Sequence, residues 1–180
     1  IVKDDVNLLT DLAKRAIEEC DLLIFTAGSS VSARDITSRV INQLGDPGVL
    51  VHGVNIRPGK PTILAVCAGK TVIGLPGNPV SAYVTANLFV KPVIEYILKI
   101  KRKNLPSIQA QLTMNLPSKA GREDWIPVSL SRSNSGLNAT PLFIRSNFIL
   151  SLIKADGLIC IGANRTGLES GEIVNVFECY

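Results

Sequence analysis

A helical stripe that runs directly into a strand-sized apolar segment is the feature that most restricts how this sequence can fold. Residues 8–19 carry apolar side chains at helical spacing, and residues 21–26 then include the continuous run Leu-Leu-Ile-Phe. Such runs are typical of parallel strands that are covered on both faces. A small-residue loop at 27–34 and a second helical pattern over 36–44 follow. This order predicts an α/β domain whose mostly parallel sheet is flanked by helices.

The remainder of the first half supplies further strands and a closing helix. Residues 49–54 predict a strand, and residues 62–67 and 71–75 predict a hairpin or closely paired strands, because only Ala-Gly-Lys separates them. A closing helix is predicted over about 79–98, since a proline at its first position needs no N–H donor. Pro92 is expected to bend this helix.

A change of composition after the closing helix predicts a second domain. Residues 99–106 are rich in charge and contain Asn and Pro, which is the composition of a linker. Beyond it the sequence consists of short alternating runs with turn signals between them, and one helical insertion at about 146–154. We therefore predict one domain over residues 1–103 and a small β unit over residues 104–180.

The composition fits a folded protein that binds a small anion. Hydrophobic residues make up 46% and charged residues 19% of the 180 residues, enough to bury a core. The net charge of +4 and the aromatic content of 5% are too low for a dedicated nucleic-acid binder. The apolar runs are interrupted and the N-terminus lacks the features of a signal peptide, so a cytoplasmic location without a membrane is expected.

Cysteine and histidine usage argues against a structural metal site. The four cysteines lie far apart without a C-x-x-C pair, which predicts reduced, buried thiols. With one histidine, His52, and no cysteine cluster, no structural metal is predicted. His52 is expected to be a strand residue that is paired or half-buried and takes no part in catalysis.

Three loops follow predicted strands, where open parallel sheets bind their ligands. The first loop, residues 26–35, has small side chains that let backbone N–H groups approach an anion. Its last residue, Asp35, could hold a divalent cation or orient water. The structural alternative is that Asp35 is only the N-cap of a helix that begins at Ile36.

The second and third loops offer further anion-binding groups. Residues 57–61 combine Arg57 and Lys60 with a rigid proline and glycine frame that suits phosphate or another oxyanion, although a solvated turn has the same composition. Residues 76–81 place Gly77 and Asn78 before a helix N-terminus, which attracts anions; plain capping by Asn78 is the alternative. Three such loops at one edge of a sheet predict a pocket for a phosphate-bearing small molecule.

Taken in order, three motifs resemble the molybdopterin molybdenumtransferase family, which includes MoeA and the E domain of gephyrin: Thr-Ala-Gly-Ser-Ser-Val-Ser-Ala-Arg-Asp, His-Gly-Val-Asn-Ile-Arg-Pro-Gly-Lys-Pro and Gly-Leu-Pro-Gly-Asn-Pro-Val-Ser-Ala. The resemblance implies a MogA-like molybdopterin-binding domain over 1–103 and a small β-barrel domain over 104–180. It implies an enzyme that inserts molybdate into adenylylated molybdopterin and releases AMP with the help of Mg²⁺. A homodimer and a molybdopterin adenylyltransferase as partner are also implied.

The resemblance assigns roles to individual residues by position. Asp35 is implied to bind metal or handle water at the adenylyl phosphoanhydride, and Lys60 and Arg57 to contact molybdate or phosphate. Asp35 and Lys60 are the implied catalytic residues. The implied substrate-binding residues are Gly28, Ser30, Arg57, Pro58, Gly59, Pro76, Gly77, Asn78, Pro79, Ser81, Arg122 and Ser146.

The sequence also departs from the family pattern. Ala27 and Ser32 stand where the family has glycines, so the backbone path of the first loop can differ. Ala33 and Arg34 occupy the place of a second acid often found before the aspartate. The opening strand-helix-strand segment of the family domain is missing, so we expect a fragment of a longer enzyme. A non-catalytic molybdopterin-binding or regulatory module and a related nucleotide pyrophosphatase stay open as alternative functions.

Overall fold

The computed structural model describes residues 5–26, 31–101, 107–134, 136–142 and 154–177, and of residues 31–35 it describes the backbone alone. The chain divides into two compact units. The first consists of Ile1–Val54 and Gly59–Lys101, and the second of Asn55–Pro58 and Arg102–Tyr180. The boundary predicted after residue 103 falls outside the described residues and stays a prediction.

The first half of the chain contains both helices and strands, whereas the elements described in the second half are strands. The first half contains α1 (Val6–Glu19), β1 (Leu22–Thr26), α2 (Val31–Asn42), β2 (Pro47–His52), β3 (Ile56–Arg57), β4 (Ile63–Cys67), β5 (Lys70–Leu75), α3 (Pro79–Thr85), a π-helical turn (Ala86–Val90) and α4 (Lys91–Ile97). The second half contains β6 (Ser107–Leu112), β7 (Leu116–Pro117), β8 (Glu123–Ser133), β9 (Gly136–Pro141), β10 (Gly157–Ile161), β11 (Gly167–Leu168) and β12 (Ile173–Phe177).

The sheet of the first unit is mixed, so the mostly parallel sheet predicted from the sequence is not confirmed. Its strand order is β1-β5-β4-β2, in which only β1 and β5 pair in parallel. Strands β4 and β5 form the hairpin that the short Ala-Gly-Lys connection predicts. Ala68 and Gly69 have positive φ angles of 50° and 77°, as tight hairpin turns require. A parallel pairing would need a long crossover that this connection cannot supply.

Helices cover both faces of this sheet. On one face, α1 and α2 pack against the strands through a core that includes Ile17, Val40 and Ile41. On the other face, Ile73 and Leu75 of β5 pack against the helical segment that begins at α3. The π-helical turn directly precedes α4, whose second residue is proline and has no N–H to donate. None of the helices that the structure describes is both long and apolar enough to span a bilayer.

The second unit contains the small β-barrel that the family resemblance implies. Its strands follow the order β10-β12-β6-β9-β8, and β8 pairs with β10 to close the barrel. Strand β3 adds to β8 in parallel, and β7 and β11 form a separate two-stranded ribbon. The interior is filled by apolar side chains, among them Leu112, Val128, Ile159 and Ile161. The predicted helical insertion at 146–154 lies almost wholly outside the described residues.

Lys70 provides a test of how the first unit is held together. Its Nζ donates hydrogen bonds to the main-chain oxygens of Ile17 (2.6 Å) and Glu18 (3.1 Å), at the end of α1. The last turn of α1 has no basic residue of its own to satisfy these carbonyl groups. We expect Lys70→Met to lower the free energy of unfolding by about 1 kcal/mol in urea denaturation. Lys101→Met, at an exposed position, is the control; equal losses in both variants would contradict the capping role.

Candidate functional site

The strand registers bring three segments to one edge of the first unit's sheet. Thr26 at the end of β1 is paired with Leu75 at the end of β5. Ile63 at the start of β4 is paired with Gly74 of β5 and with His52 at the end of β2. The residues after β1, the residues after β5 and both ends of the link from β2 to β4 therefore meet the sheet at the same edge.

The link between β2 and β4 closes on itself through main-chain hydrogen bonds. The N–H of Gly53 donates to the oxygen of Thr62, and the N–H of Val54 donates to the oxygen of Lys60, both at 2.9 Å. Gly59 has a φ of 121°, which favours glycine, and its oxygen accepts from the hydroxyl of the fully buried Thr62 at 2.7 Å. The Lys60 side chain is exposed, and its ammonium has no partner among the described residues.

The segment after β5 is a capped helix start. The Oδ1 of Asn78 accepts hydrogen bonds from two N–H groups of the first turn of α3, at 3.1 and 3.2 Å, so the capping alternative for Asn78 is confirmed. The hydroxyl of Ser81, which is buried, also donates to this oxygen at 3.4 Å. Pro76 is buried, whereas Gly77 and Pro79 are exposed. Gly77 and Pro79 are thus accessible to solvent, whereas Ser81 is not.

The segment after β1 is described only in part. Gly28 and Ser30 lie outside the described residues, as does the side chain of Asp35. The backbone shows that α2 begins at Val31, so Asp35 lies inside the helix and the alternative of an N-cap before Ile36 is wrong. Residues 32–35 contain no glycine or proline, which explains why the helix extends through them. Within the described residues, no group of three or more His, Cys, Asp or Glu could hold a metal ion.

In the second unit, Arg57 and Arg122 share one carboxylate. Arg122 donates from Nε to Oδ1 of Asp124 at 2.8 Å and from Nη2 to Oδ2 at 3.3 Å. The Ser118 hydroxyl donates to the same Oδ2 at 3.0 Å, and Nη1 of Arg57 lies 3.9 Å from it. The Asp124 side chain is only 5% exposed, whereas that of Arg57 is 67% exposed and that of Arg122 31%.

Strand pairing explains how these groups meet. Arg57 and Asp124 are partners in the parallel pairing of β3 with β8. Gly121, with a φ of 93°, forms the turn before Arg122, and its N–H donates to the oxygen of Ala163 at 2.7 Å. Pro58 follows β3 and is half-buried, and the predicted Ser146 lies outside the described residues.

The charge balance of this cluster suits an anion. Two guanidinium groups oppose one carboxylate, so the cluster of Arg57, Arg122 and Asp124 carries a net positive charge. Guanidinium groups bind planar or tetrahedral oxyanions through paired N–H donors. Asp124 was not identified from the sequence, because the run Gly-Arg-Glu-Asp-Trp predicts only a polar turn before a strand.

The environments of the described cysteines and of the histidine differ in part from those predicted. Cys67 is buried, but Cys20 and Cys160 are half-buried, so the prediction of buried thiols holds only in part for the described cysteines, all of which are free. Burial, together with the negative charges of Glu123 and Asp124, raises the pKa of Cys160 to about 12. His52 is a strand residue as predicted, but its side chain is exposed rather than paired or half-buried.

Two family models match the chain one after the other. Residues 1–96 match the model described as a probable molybdopterin binding domain. Residues 109–178 match the model of the MoeA C-terminal region, domain IV. Together they account for both units of the fold.

Individual relatives agree with these models. A Methanocaldococcus jannaschii protein named for molybdopterin biosynthesis is 41% identical over 98% of this chain, and the molybdopterin molybdenumtransferase of Bacillus subtilis is 31% identical over 97%. The crystal structure of the molybdopterin biosynthesis MoeA protein from Pyrococcus horikosii superposes with a TM-score of 0.82 at 33% identity, over 98% of this chain and 42% of that one. The chain spans 41% of the length of each of the first two relatives.

Thiol reactivity tests the environment described for Cys160. Because only the thiolate reacts and the pKa is about 12, we expect Cys160 in the folded protein to react with a disulfide reagent at pH 8 on the order of a thousandfold more slowly than in urea. The measurement uses a Cys20→Ser, Cys179→Ser double variant, in which Cys67, whose pKa is also raised by burial, is the internal comparison. The folded-state rate of Cys160 should keep rising above pH 9; a plateau there would contradict the raised pKa.

Proposed function

Because this chain belongs to the molybdopterin molybdenumtransferase (MoeA) family, we propose that it acts in molybdenum cofactor biosynthesis and inserts molybdate into adenylylated molybdopterin with release of AMP. The observation that carries this proposal is the common sheet edge at which three loop segments of the first unit begin or end. An edge that gathers several strand ends and a helix N-terminus suits a phosphate-bearing substrate.

At this edge we propose Lys60 as the main cationic group. Its exposed ammonium has no partner among the described residues, so no competing ion pair must break when an anion binds. The Gly59 turn, fixed by the Thr62 hydroxyl, holds the backbone beneath it. We propose that the exposed Gly77 and Pro79 line the pocket, while Asn78 and Ser81 keep the start of α3 in place.

In the segment after β1 we propose Gly28 and Ser30 as substrate-binding residues and Asp35 as the residue that binds metal. A carboxylate oxygen is the kind of ligand that Mg²⁺ takes, and none of the described acidic residues forms a competing metal cluster. When bound there, Mg²⁺ would supply positive charge to the phosphoanhydride that is cleaved. The part proposed for Asp35 itself is to hold that ion or to orient water.

In the second unit we propose Arg57 and Arg122 as phosphate or molybdate contacts. We also propose Pro58, which follows Arg57, and Ser146 as substrate-binding residues. The support is the net positive charge of the cluster, the exposed side chain of Arg57 and the partly exposed side chain of Arg122.

We further propose a cytoplasmic homodimer that receives its substrate from a molybdopterin adenylyltransferase. The free thiols Cys20, Cys67 and Cys160 support a reducing compartment. The proposals of a dimer and of this partner rest on the family membership alone. Size-exclusion chromatography with light scattering, alone and with the adenylyltransferase, tests both.

The reaction is tested by mixing the protein with adenylylated molybdopterin, Mg²⁺ and molybdate and measuring AMP. Molybdate-dependent AMP release supports the transferase. Tight pterin binding without AMP would indicate a binding or regulatory module. Cleavage of ordinary dinucleotides without pterin affinity would indicate a pyrophosphatase.

Lys60 provides a charge test of the proposed pocket. We expect Lys60→Met to lower kcat/KM for AMP release about a hundredfold, because a cation aimed at developing phosphate charge is removed. Lys60→Arg should retain more activity than Lys60→Met. Lys14→Met changes an exposed lysine of α1 and should leave kcat/KM unchanged. Equal rates for Lys60→Met and Lys14→Met would remove Lys60 from the site.

Asp35 provides a test of chemistry apart from binding. We expect Asp35→Asn to reduce AMP release at least about a hundredfold and to leave pterin affinity nearly unchanged, because the amide keeps the shape but binds Mg²⁺ poorly. Asp11→Asn, an exposed substitution on α1, is the matched control. Unchanged turnover in Asp35→Asn would exclude the residue from the mechanism.

A further inference from the structure

The buried acid of the second unit is the feature that the proposed function leaves unexplained. Asp124 is 4% exposed, and a carboxylate at such a position loses hydration that only close partners can replace. Arg122 and Ser118 donate three hydrogen bonds to its two oxygens, so both are satisfied. The residues on either side of it in β8, Glu123 and Trp125, form a hydrogen bond with each other. In this bond Nε1 of Trp125 donates to Oε2 of Glu123 at 3.2 Å.

The way Arg122 is held determines which of its donors stay available. Asp124 takes up Nε and one N–H of Nη2, which lie along one side of the planar guanidinium. The donors on the other side have no partner among the described residues, and the side chain is 31% exposed. The bidentate contact therefore fixes the plane of the guanidinium and leaves its other donors for an external acceptor.

Arg57 approaches the same carboxylate from a distant part of the sequence. The pairing of β3 with β8 is reinforced by the N–H of Glu123, which donates to the oxygen of Asn55 at 2.9 Å. At 3.9 Å the Arg57 contact is an ion pair without a hydrogen bond, so Arg57 keeps its donors as well.

We propose that Asp124 is a positioning residue that holds Arg122 and Arg57 as a prearranged pair of guanidinium groups for a phosphate or molybdate oxyanion. The inference rests on the proposed function, which gives the two arginines an anion to bind. An unrestrained arginine loses side-chain entropy when it binds, and a carboxylate that already holds it removes most of that cost.

Two variants separate positioning from charge. Asp124→Asn keeps the shape and removes the negative charge, whereas Asp124→Glu keeps the charge and displaces the carboxylate by one methylene. If Asp124 positions the arginines, both variants weaken anion binding about tenfold. If Asp124 only reduces the positive potential around the two arginines, Asp124→Asn should bind anions more tightly and Asp124→Glu should have an unchanged anion affinity. That result would overturn the proposal.

The probes are molybdate alone and inorganic phosphate alone. Titration calorimetry gives the affinity of every variant, and the NMR signal of the Arg122 Nε–H group shows whether the anion binds at that side chain. Arg122→Met assigns the signal, and a variant that combines it with Arg57→Met is the background for a double-mutant cycle. Asp124→Asn should add nothing to the loss of affinity that this background already shows, because the acid acts through the two arginines. Additive losses would contradict a positioning role. Urea denaturation of each variant shows that the folded protein is being compared.

The chain supplies its own matched control in the same unit. Arg165 donates to Glu172 through Nη1 (2.6 Å) and Nη2 (2.9 Å), a bidentate pair of the same chemistry on the surface, and its hydrogen bond lowers the pKa of Glu172. Glu172→Gln should leave anion affinity unchanged.

The outcomes also distinguish this inference from the proposed function. Asp124-dependent anion binding without AMP release would leave the positioning role standing and remove the transferase. AMP release with unchanged anion binding in both Asp124 variants would do the reverse. A wild-type protein that binds neither molybdate nor phosphate at Arg122 would overturn the positioning role directly.

Discussion

The parallel pairing of β1 with β5 is the constraint on which the arrangement of the first unit depends. Since Thr26 and Leu75 are partners, the segments that follow both strands start side by side. The hairpin between β4 and β5 then makes β4 begin where β5 ends, and β2 ends at the same edge. One parallel and two antiparallel pairings thus gather the strand ends that an all-parallel sheet would gather, without a long crossover for every strand.

Much of the polar chemistry at this edge serves the loops themselves. Asn78 uses its side-chain oxygen to cap α3, and Thr62 uses its hydroxyl to hold the Gly59 carbonyl. Capping and anion binding are therefore compatible interpretations of such motifs. A side chain that caps the first turn of a helix holds that turn in place, and the remaining N–H groups then keep a constant direction. In the proposed function the charge for binding comes from Lys60, whose exposed side chain makes no such contact among the described residues.

The parts of this structure that the sequence predicts are those fixed by near neighbours. The cap at Asn78 and the β4–β5 hairpin depend on adjacent residues, and both were predicted. Strand direction, the division of the second motif between two units and the burial of Asp124 depend on pairings with distant residues, so local patterns do not contain them. Arg57 illustrates this. Its motif indicates a single loop, yet Arg57 lies in β3, which pairs with strand β8 of the barrel. The N-cap alternative for Asp35 was wrong because residues 32–35, which contain no glycine or proline, continue the helix that begins at Val31.

The stability of the barrel does not explain why an aspartate is buried at position 124. A buried ion pair loses hydration on both sides, and an apolar residue of similar volume usually gives equal or greater stability. The exposed pair of Arg165 and Glu172 has little of this cost, and surface pairs of its kind contribute little stability. Asp124 is buried while its two arginines reach solvent, so this part of the surface presents fixed positive charge. A buried aspartate at this position is accounted for by its orienting of the two arginines, because an apolar side chain could not hold a guanidinium group in place.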